Sequence, residues 1–437
     1  MTSTQNFTAT NRGDRDARLE TLYSRLDDHN MAPYWAVDSD NRNDEDGQVL
    51  KARKAVPHIW RYQDIEPILY ESAELISMDD SERRSVVLVN PGLAPVRATV
   101  TTLYVAYRLN DPREIMPPHR HSINAVRIGL TGESNFTGIE GEDVVFGPGD
   151  LVLTPADAWH NHGNRGDDFA VNVSVLDLPL SEVLNSASFD HEYTEEENGE
   201  QVRRREQTSR FSQDYSARTY GHGGLRPRFV NHHRGNGFAS PMYVYRWDQT
   251  RELLNQFRDH DGDPHEAIMV EYIDPTTGRS PYPTMTFFGQ MLRPGERTRP
   301  LLQNASQVCI PFEGSGYSII NGQRFDWRQF DAIAVPGGAW CEHVNETKDE
   351  AILFVASDEP TLKTLGFYQK HGRTPEGDIV RIAGPAGRRP GAGLLFARVD
   401  RKNRLFKLGD IEGFLVFLGD FKSPRDVTIL VSRGDIL

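Results

Sequence analysis

The chain reads as a mainly β protein made of two related β-barrels, with helices ahead of the first and between the two. Two observations predict this. Over Arg84 to Asp177, and again over 267–357, short Val/Leu/Ile/Thr/Tyr runs alternate with Gly, Pro and Asp, the texture of strands closed by tight turns. The two stretches also repeat one another. GEDVVFGPGDLVLTPADAWHNHGN (141–164) aligns without gaps with GQRFDWRQFDAIAVPGGAWCEHVN (322–345), keeping Gly, Asp, Pro, Ala, Trp, His and Asn. Upstream, HRHSINAVRIGLTG (119–132) pairs with LLQNASQVCIPFEG (301–314), an offset of 182 residues that becomes 181 downstream. Self-similarity at a near-constant offset marks a duplicated structural unit.

The elements follow in order. Residues 1–14 are polar and expected to be irregular. Leu19, Leu22, Tyr23 and Leu26 have helical spacing and predict an amphipathic helix over 15–28. KAVPHIWRYQDIEPILYESAEL reads as a proline-broken connection into a helix over 63–75. Residues 190–225 are charge-rich without an apolar period, and predict a surface connection. DQTRELLNQFR predicts a helix over 248–258. Residues 371–437 read as a Gly/Pro/Arg-rich linker followed by strand-like runs (LLFARV, GFLVFLG, VTILVS), with no functional reading. The expected organisation is an N-terminal helical segment (1–75), a first barrel (76–180), a linker with a helix (181–260), a second barrel (261–370) and a C-terminal extension (371–437).

Composition narrows the function classes. A net charge of −14 argues against nucleic acid or an anionic membrane as a partner held by overall charge, while permitting a local basic pocket. Two cysteines are too few for a disulfide framework and fit a reducing compartment. No stretch approaches about 18 consecutive apolar residues, and the first twenty lack the apolar core of a signal peptide. A soluble, cytoplasmic protein is expected.

The chemistry concentrates in PPHRHSINAVRIGLTG (117–132). On a strand, alternate side chains share a face, so His119, His121 and Arg127 would point the same way. TPADAWHNHGN adds His160 from a later hairpin. Three neutral imidazoles facing one point bind a divalent first-row metal and leave positions open. A carboxylate ligand has no candidate, because the region after the second histidine reads SINAVR. In the duplicate, His119, His121 and His160 become Leu301, Gln303 and Cys341, while the turn glycines Gly132 and Gly141 and the Pro-x-x-Ala-Trp turn persist. The imidazoles are therefore separable from the fold. Cys341 is expected to be a buried thiol, and EYTEEENGE a solvated acidic run. His343, the counterpart of His162, shows that a histidine can persist there without the trio.

The pattern H-x-H followed by G-x5-P-x4-H-x3-N resembles the cupin superfamily. KAVPHIW, NPGL, HRHSINAVR, TPADAWHNHGN and PGGAWCEHVN resemble the gentisate 1,2-dioxygenases and the related salicylate and 1-hydroxy-2-naphthoate dioxygenases, over roughly residues 15–370. The resemblance implies a bicupin that holds Fe(II), assembles as a homotetramer, and uses O2 to cleave a small aromatic carboxylate. Cleavage would fall between the carboxyl- and hydroxyl-bearing carbons. It implies His119, His121 and His160 as iron ligands, Arg127 and Arg83 as contacts to the substrate anion, and His162 as a hydrogen-bonding group beside substrate and oxygen. Without the resemblance, Arg83 and Arg84 would read as an ordinary surface pair. Tyr104 and Ala106 would contour the pocket. Many members carry W-x-D-G-L-D where this chain has NVSVLD (172–177), so Ser174 replaces an aspartate. That change favours a salicylate with a 5-substituent other than hydroxyl, such as 5-nitrosalicylate, beside gentisate itself. The alternatives are 1-hydroxy-2-naphthoate cleavage, a small-ligand binding protein, and a metal-dependent isomerase.

Overall fold

The computed structural model describes residues 10–29, 31, 54–77 and 84–384, together with the short strand pair Leu415–Val416 and Leu430–Val431. Residues 1–54 form one compact unit and residues from 55 onward another. In the first unit a helix α1 spans Thr10–Asp28, starting five residues before the predicted helix.

The second unit begins with β1 (His58–Trp60) and α2 (Tyr62–Leu75). The first barrel follows: β2 (Ser85–Val87), β3 (Tyr104–Asn110), β4 (Arg120–His121), β5 (Ala125–Thr131), β6 (Asn135–Ile139), β7 (Glu142–Phe146), β8 (Leu151–Thr154), β9 (His160–Asn164), β10 (Ala170–Leu176) and α3 (Leu178–Val183). A connection carries β11 (Phe189–Asp190), the hairpin β12 (Thr194–Glu197) and β13 (Glu200–Arg203), α4 (Tyr215–Tyr220), β14 (Val244–Tyr245) and α5 (Trp247–Gln256). The second barrel comprises β15 (Ile268–Glu271), β16 (Thr286–Leu292), β17 (Leu301–Gln303), β18 (Gln307–Glu313), β19 (Gly316–Ile320), β20 (Gln323–Trp327), β21 (Ala332–Val335), β22 (Trp340–Val344) and β23 (Ala351–Ser357). It ends with α6 (Glu359–Thr364), β24 (Lys370–Arg373) and β25 (Ile379–Ala383).

The duplication seen in the sequence therefore extends from β3 and β16 through α3 and α6. The tight turns repeat too. Glu140 and Gly141 (φ 49° and 83°) join β6 to β7, and Asn321 and Gly322 (φ 49° and 81°) join β19 to β20. Two consecutive left-handed residues match the twist of the strands they connect, and glycine takes the second position without strain.

Each barrel has a six-stranded sheet that packs toward the other barrel, opposed by β7-β6-β9 in the first and by the six-stranded β20-β19-β22-β17-β24-β25 in the second. In the first, the order is β14-β8-β5-β10-β3-β2; in the second, β1-β21-β18-β23-β16-β15. One face of each is apolar, and the two meet in a common core that includes Val105, Tyr107, Val126, Ile128, Val173 and Val175 from the first and Phe287, Val308, Ile310, Phe354 and Ala356 from the second. Burying each such side chain contributes roughly 1.5–3 kcal/mol. The other face of each sheet looks into its own barrel.

Several boundaries differ from the sequence reading. Helix α2 belongs to the barrel unit, because Tyr62, Ile65 and Leu69 are buried in the common core. The second barrel runs past 370: β24 pairs with β17, and β25 with β24. The charged stretch 190–225 is not a bare surface connection, since it holds a strand hairpin and a helix.

Candidate metal centre

The run that carries His119, His121 and Arg127 is not one continuous strand. It breaks at Ser122–Asn124, and its two halves join different sheets. Asn124 holds the corner: its Nδ2 donates to Asp177 Oδ2 (3.0 Å) and its Oδ1 accepts from the Ala156 amide (3.0 Å). The break moves His119 and His121 off the six-stranded sheet, with β4 pairing instead with β11, while Arg127 remains on that sheet. His162 links the two halves: its ring lies 5.5 Å from that of His119 and it accepts from Arg127.

His119 and His160 face each other across an antiparallel bridge, and His121 lies two residues on. Their ring centroids are 4.3 Å (119 to 160), 4.7 Å (121 to 160) and 5.8 Å (119 to 121) apart. One ring nitrogen from each lies within 4.8 Å of the others, and all three residues are buried. Each Nδ1 faces a backbone carbonyl: Pro117 O at 3.3 Å, Ile123 O at 2.8 Å and Ala158 O at 2.8 Å. A carbonyl only accepts, so each Nδ1 carries the hydrogen and Nε2 is the ring nitrogen with the lone pair, the kind of atom that binds a metal. His160 Nε2 is buried without a hydrogen-bond partner. Burial, followed by the neighbouring His119, His121 and Arg127, holds the His160 imidazole well below its usual pKa and therefore neutral. A fully buried, neutral nitrogen with no protein partner is what a metal ligand requires, so the residues fit a divalent cation.

Beside the trio, Arg127 Nη2 donates to His162 Nε2 (2.7 Å) and Nη1 donates to Thr154 Oγ1 (2.6 Å). A guanidinium only donates, so His162 carries its hydrogen on Nδ1, directed at Thr137 Oγ1 (3.3 Å). Burial, then Arg127, keeps His162 well below the ordinary histidine range. The sheet register aligns Ala106 with Ser174 and Ser174 with Arg127 on neighbouring strands, so the three share the inner face. Tyr104, two residues from Ala106, faces the same way.

Arg83 lies outside the described residues. Its neighbour Arg84 is not at the surface: it is buried and ion-paired with Asp111 and Glu114, and Glu114 also pairs with Arg108. The sequence reading missed this network, and it missed Thr137 and Thr154. It also missed the cover over the imidazole trio. Strand β11 pairs with β4, which places Phe189 against His121 (5.8 Å) and stacks His191 on His119 (5.9 Å). Carrying the repeat further would have found it, because β11 and β24 occupy equivalent positions beside β4 and β17.

In the second barrel Leu301, Gln303 and Cys341 stand in place of the trio. Cys309, Ile333, Val335, Leu353 and Val355 form one apolar cluster there, and the cavity beside Leu301, Gln303 and Cys341 is also lined by Gln290, Gln307 and His343. Among the described residues, the His119/His121/His160 group is the one trio placed to hold a metal ion. His343 keeps its bond to a hydroxyl (Ser318 Oγ, 2.8 Å), but its other nitrogen faces the Cys341 thiol at 3.8 Å.

Two duplicated β-barrels, one of them enclosing three convergent imidazoles, define a bicupin, and residues 110–176 match the family model described as the cupin domain. A gentisate 1,2-dioxygenase from Aquipseudomonas alcaligenes is 31% identical over 350 residues, 80% of this chain and 95% of its own length. A 5-aminosalicylate 1,2-dioxygenase from a Comamonas species is 30% identical over 84% of this chain and 93% of its own. Among solved structures, the salicylate 1,2-dioxygenase of Pseudoaminobacter salicylatoxidans, in its adducts with gentisate, matches with a TM-score of 0.71 and 28% identity over 84% of this chain and 95% of that one. The chain belongs to the gentisate 1,2-dioxygenase family, and it is an oxidoreductase of the ring-cleaving 1,2-dioxygenase type.

Proposed function

We propose that the protein is an Fe(II)-dependent dioxygenase that opens an ortho-hydroxybenzoate between its carboxyl- and hydroxyl-bearing carbons. Both atoms of O2 enter the product, a ring-opened 2-oxo dicarboxylate. The observation that carries the reading is the pairing of a buried, metal-ready imidazole trio with a guanidinium on the same inner face. Iron bound by His119, His121 and His160 would supply the redox chemistry that lets triplet O2 react with a closed-shell ring.

The remaining steps belong to the side chains. Arg127 seats the substrate carboxylate, since a planar fork of N–H donors matches two carboxylate oxygens. His162, held between Arg127 and Thr137, orients the reacting groups by hydrogen bonding. Tyr104, Ala106 and Ser174 shape the wall against which the ring lies. Ser174 offers a hydroxyl where an aspartate would hold gentisate's 5-hydroxyl, and so favours salicylates with other 5-substituents. Assembly as a homotetramer is part of the same proposal, and light scattering on the purified chain tests it.

An oxygen electrode with iron-loaded protein tests the reaction, using gentisate, salicylate, 5-nitrosalicylate, 5-chlorosalicylate and 1-hydroxy-2-naphthoate. Oxygen uptake with one or more of them supports the reading and names the ring. No uptake with any member would leave a non-oxygenase cupin instead.

A further inference from the structure

We propose that Thr154 is the positioning residue for Arg127, an inference that rests on the carboxylate-binding reading above. Thr154 ends β8 and is fully buried. Its Oγ1 accepts from Arg127 Nη1 at 2.6 Å, while Nη2 of the same guanidinium is engaged by His162. An arginine stem carries about 2 kcal/mol of rotamer entropy, so a single contact leaves the guanidinium plane free to swing. Bonds at both terminal nitrogens fix the plane.

The second barrel supplies an internal control. Thr154 sits opposite Ala125, two residues before Arg127; in the copy, Val335 sits opposite Gln307, two residues before Cys309. Where the guanidinium is replaced by a thiol, the hydroxyl is replaced by a methyl group of nearly the same size. The strand itself is thus served by valine. The hydroxyl is present where there is a guanidinium to hold.

The test uses Thr154→Val and Thr154→Ser in the iron-loaded, full-length protein. Substrate binding is read anaerobically by calorimetry, and KM and kcat are read by oxygen uptake. Thr154→Val is expected to raise both Kd and KM for the preferred hydroxybenzoate about tenfold, the value of one hydrogen bond to a charged group, with kcat little changed. Its iron content and Tm should match the parent, and its affinity for phenol, which has no carboxylate, should not move. Thr154→Ser should restore the parent Kd. The proposal is overturned if Thr154→Val leaves Kd unchanged, or if phenol weakens as much as the carboxylate-bearing ligand. Arg127→Met separates the two levels. If it also leaves Kd unchanged, the carboxylate role of Arg127 fails; if it weakens binding while Thr154→Val is silent, the positioning role alone fails.

Discussion

Each imidazole of the trio owes its tautomer to a carbonyl two residues away on its own chain, so the backbone that builds the turn also aims the ring. Removing one ring should therefore disturb the metal more than the fold. His160→Ala is expected to lose tightly held iron, measured by metal analysis after desalting, while keeping the parent's circular dichroism. Stoichiometric iron in that variant would contradict the ligand assignment. Ser174 stands opposite Arg127 on the neighbouring strand, beside the proposed anion site. Ser174→Asp restores a carboxylate acceptor and should raise the gentisate-to-salicylate ratio of kcat/KM about tenfold, since a site built to bond a substrate hydroxyl discriminates against its absence. An unchanged ratio would remove Ser174 from the specificity wall.

Among the elements, the segment 186–193 is tied to the liganding strand. Ser122 Oγ donates to Ser186 O (2.6 Å) and accepts from the Ser188 amide (2.9 Å), and Asp190 Oδ2 accepts from Arg120 Nε (3.1 Å) and Nη2 (2.9 Å). The Arg120–Asp190 pair is exposed, so its contribution to global stability is only about 0–1 kcal/mol. Asp190→Ala should accordingly leave Tm nearly unchanged while speeding hydrogen exchange or proteolysis at 186–193; equal protection in the variant would show that the tie is unimportant. This strand was illegible in the sequence because a two-residue strand in an acidic run has no period to read, and its pairing partner lies some seventy residues away. The barrels were legible for the opposite reason. Their strands alternate, their turns need glycine, and each pattern appears twice. The trio was legible because His-x-His and a distant third histidine are contrasted with Leu301, Gln303 and Cys341. Thr154 and Thr137 stayed hidden because a threonine in a strand is ordinary until its bonding partner is seen. The single-strand reading of 117–132 failed at Asn124, whose side-chain bonds turn the chain from one sheet to the other.

At the scale of the molecule, the halves exchange parts. Strand β1, ahead of the first barrel, pairs with β21 of the second, and β14, ahead of the second, pairs with β8 of the first. Thr284 bonds to Asp177 at the end of β10, and Thr102 bonds to Asp358 at the end of β23, a reciprocal arrangement across the shared core. Heating should accordingly unfold both barrels in one calorimetric transition; two resolved transitions would contradict this coupling. Burial raises the Asp358 carboxyl to about 6 from an ordinary 3.8. A raised folded pKa favours the protonated state, so its stabilisation is complete below pH 3.8 and is lost as pH rises through 6. Relative to Asp358→Asn, the parent should lose about 2 kcal/mol between pH 4.5 and 7.5 in urea titrations, and a constant difference would refute the buried-acid account. Because the strand exchange binds both halves into one folding unit, the copy that lacks the imidazole trio acts as ballast. It stabilises the whole, so its sister can fill an interior with imidazoles and a guanidinium that would make a poor core on their own, and neither half could be cut away to leave a stable remainder.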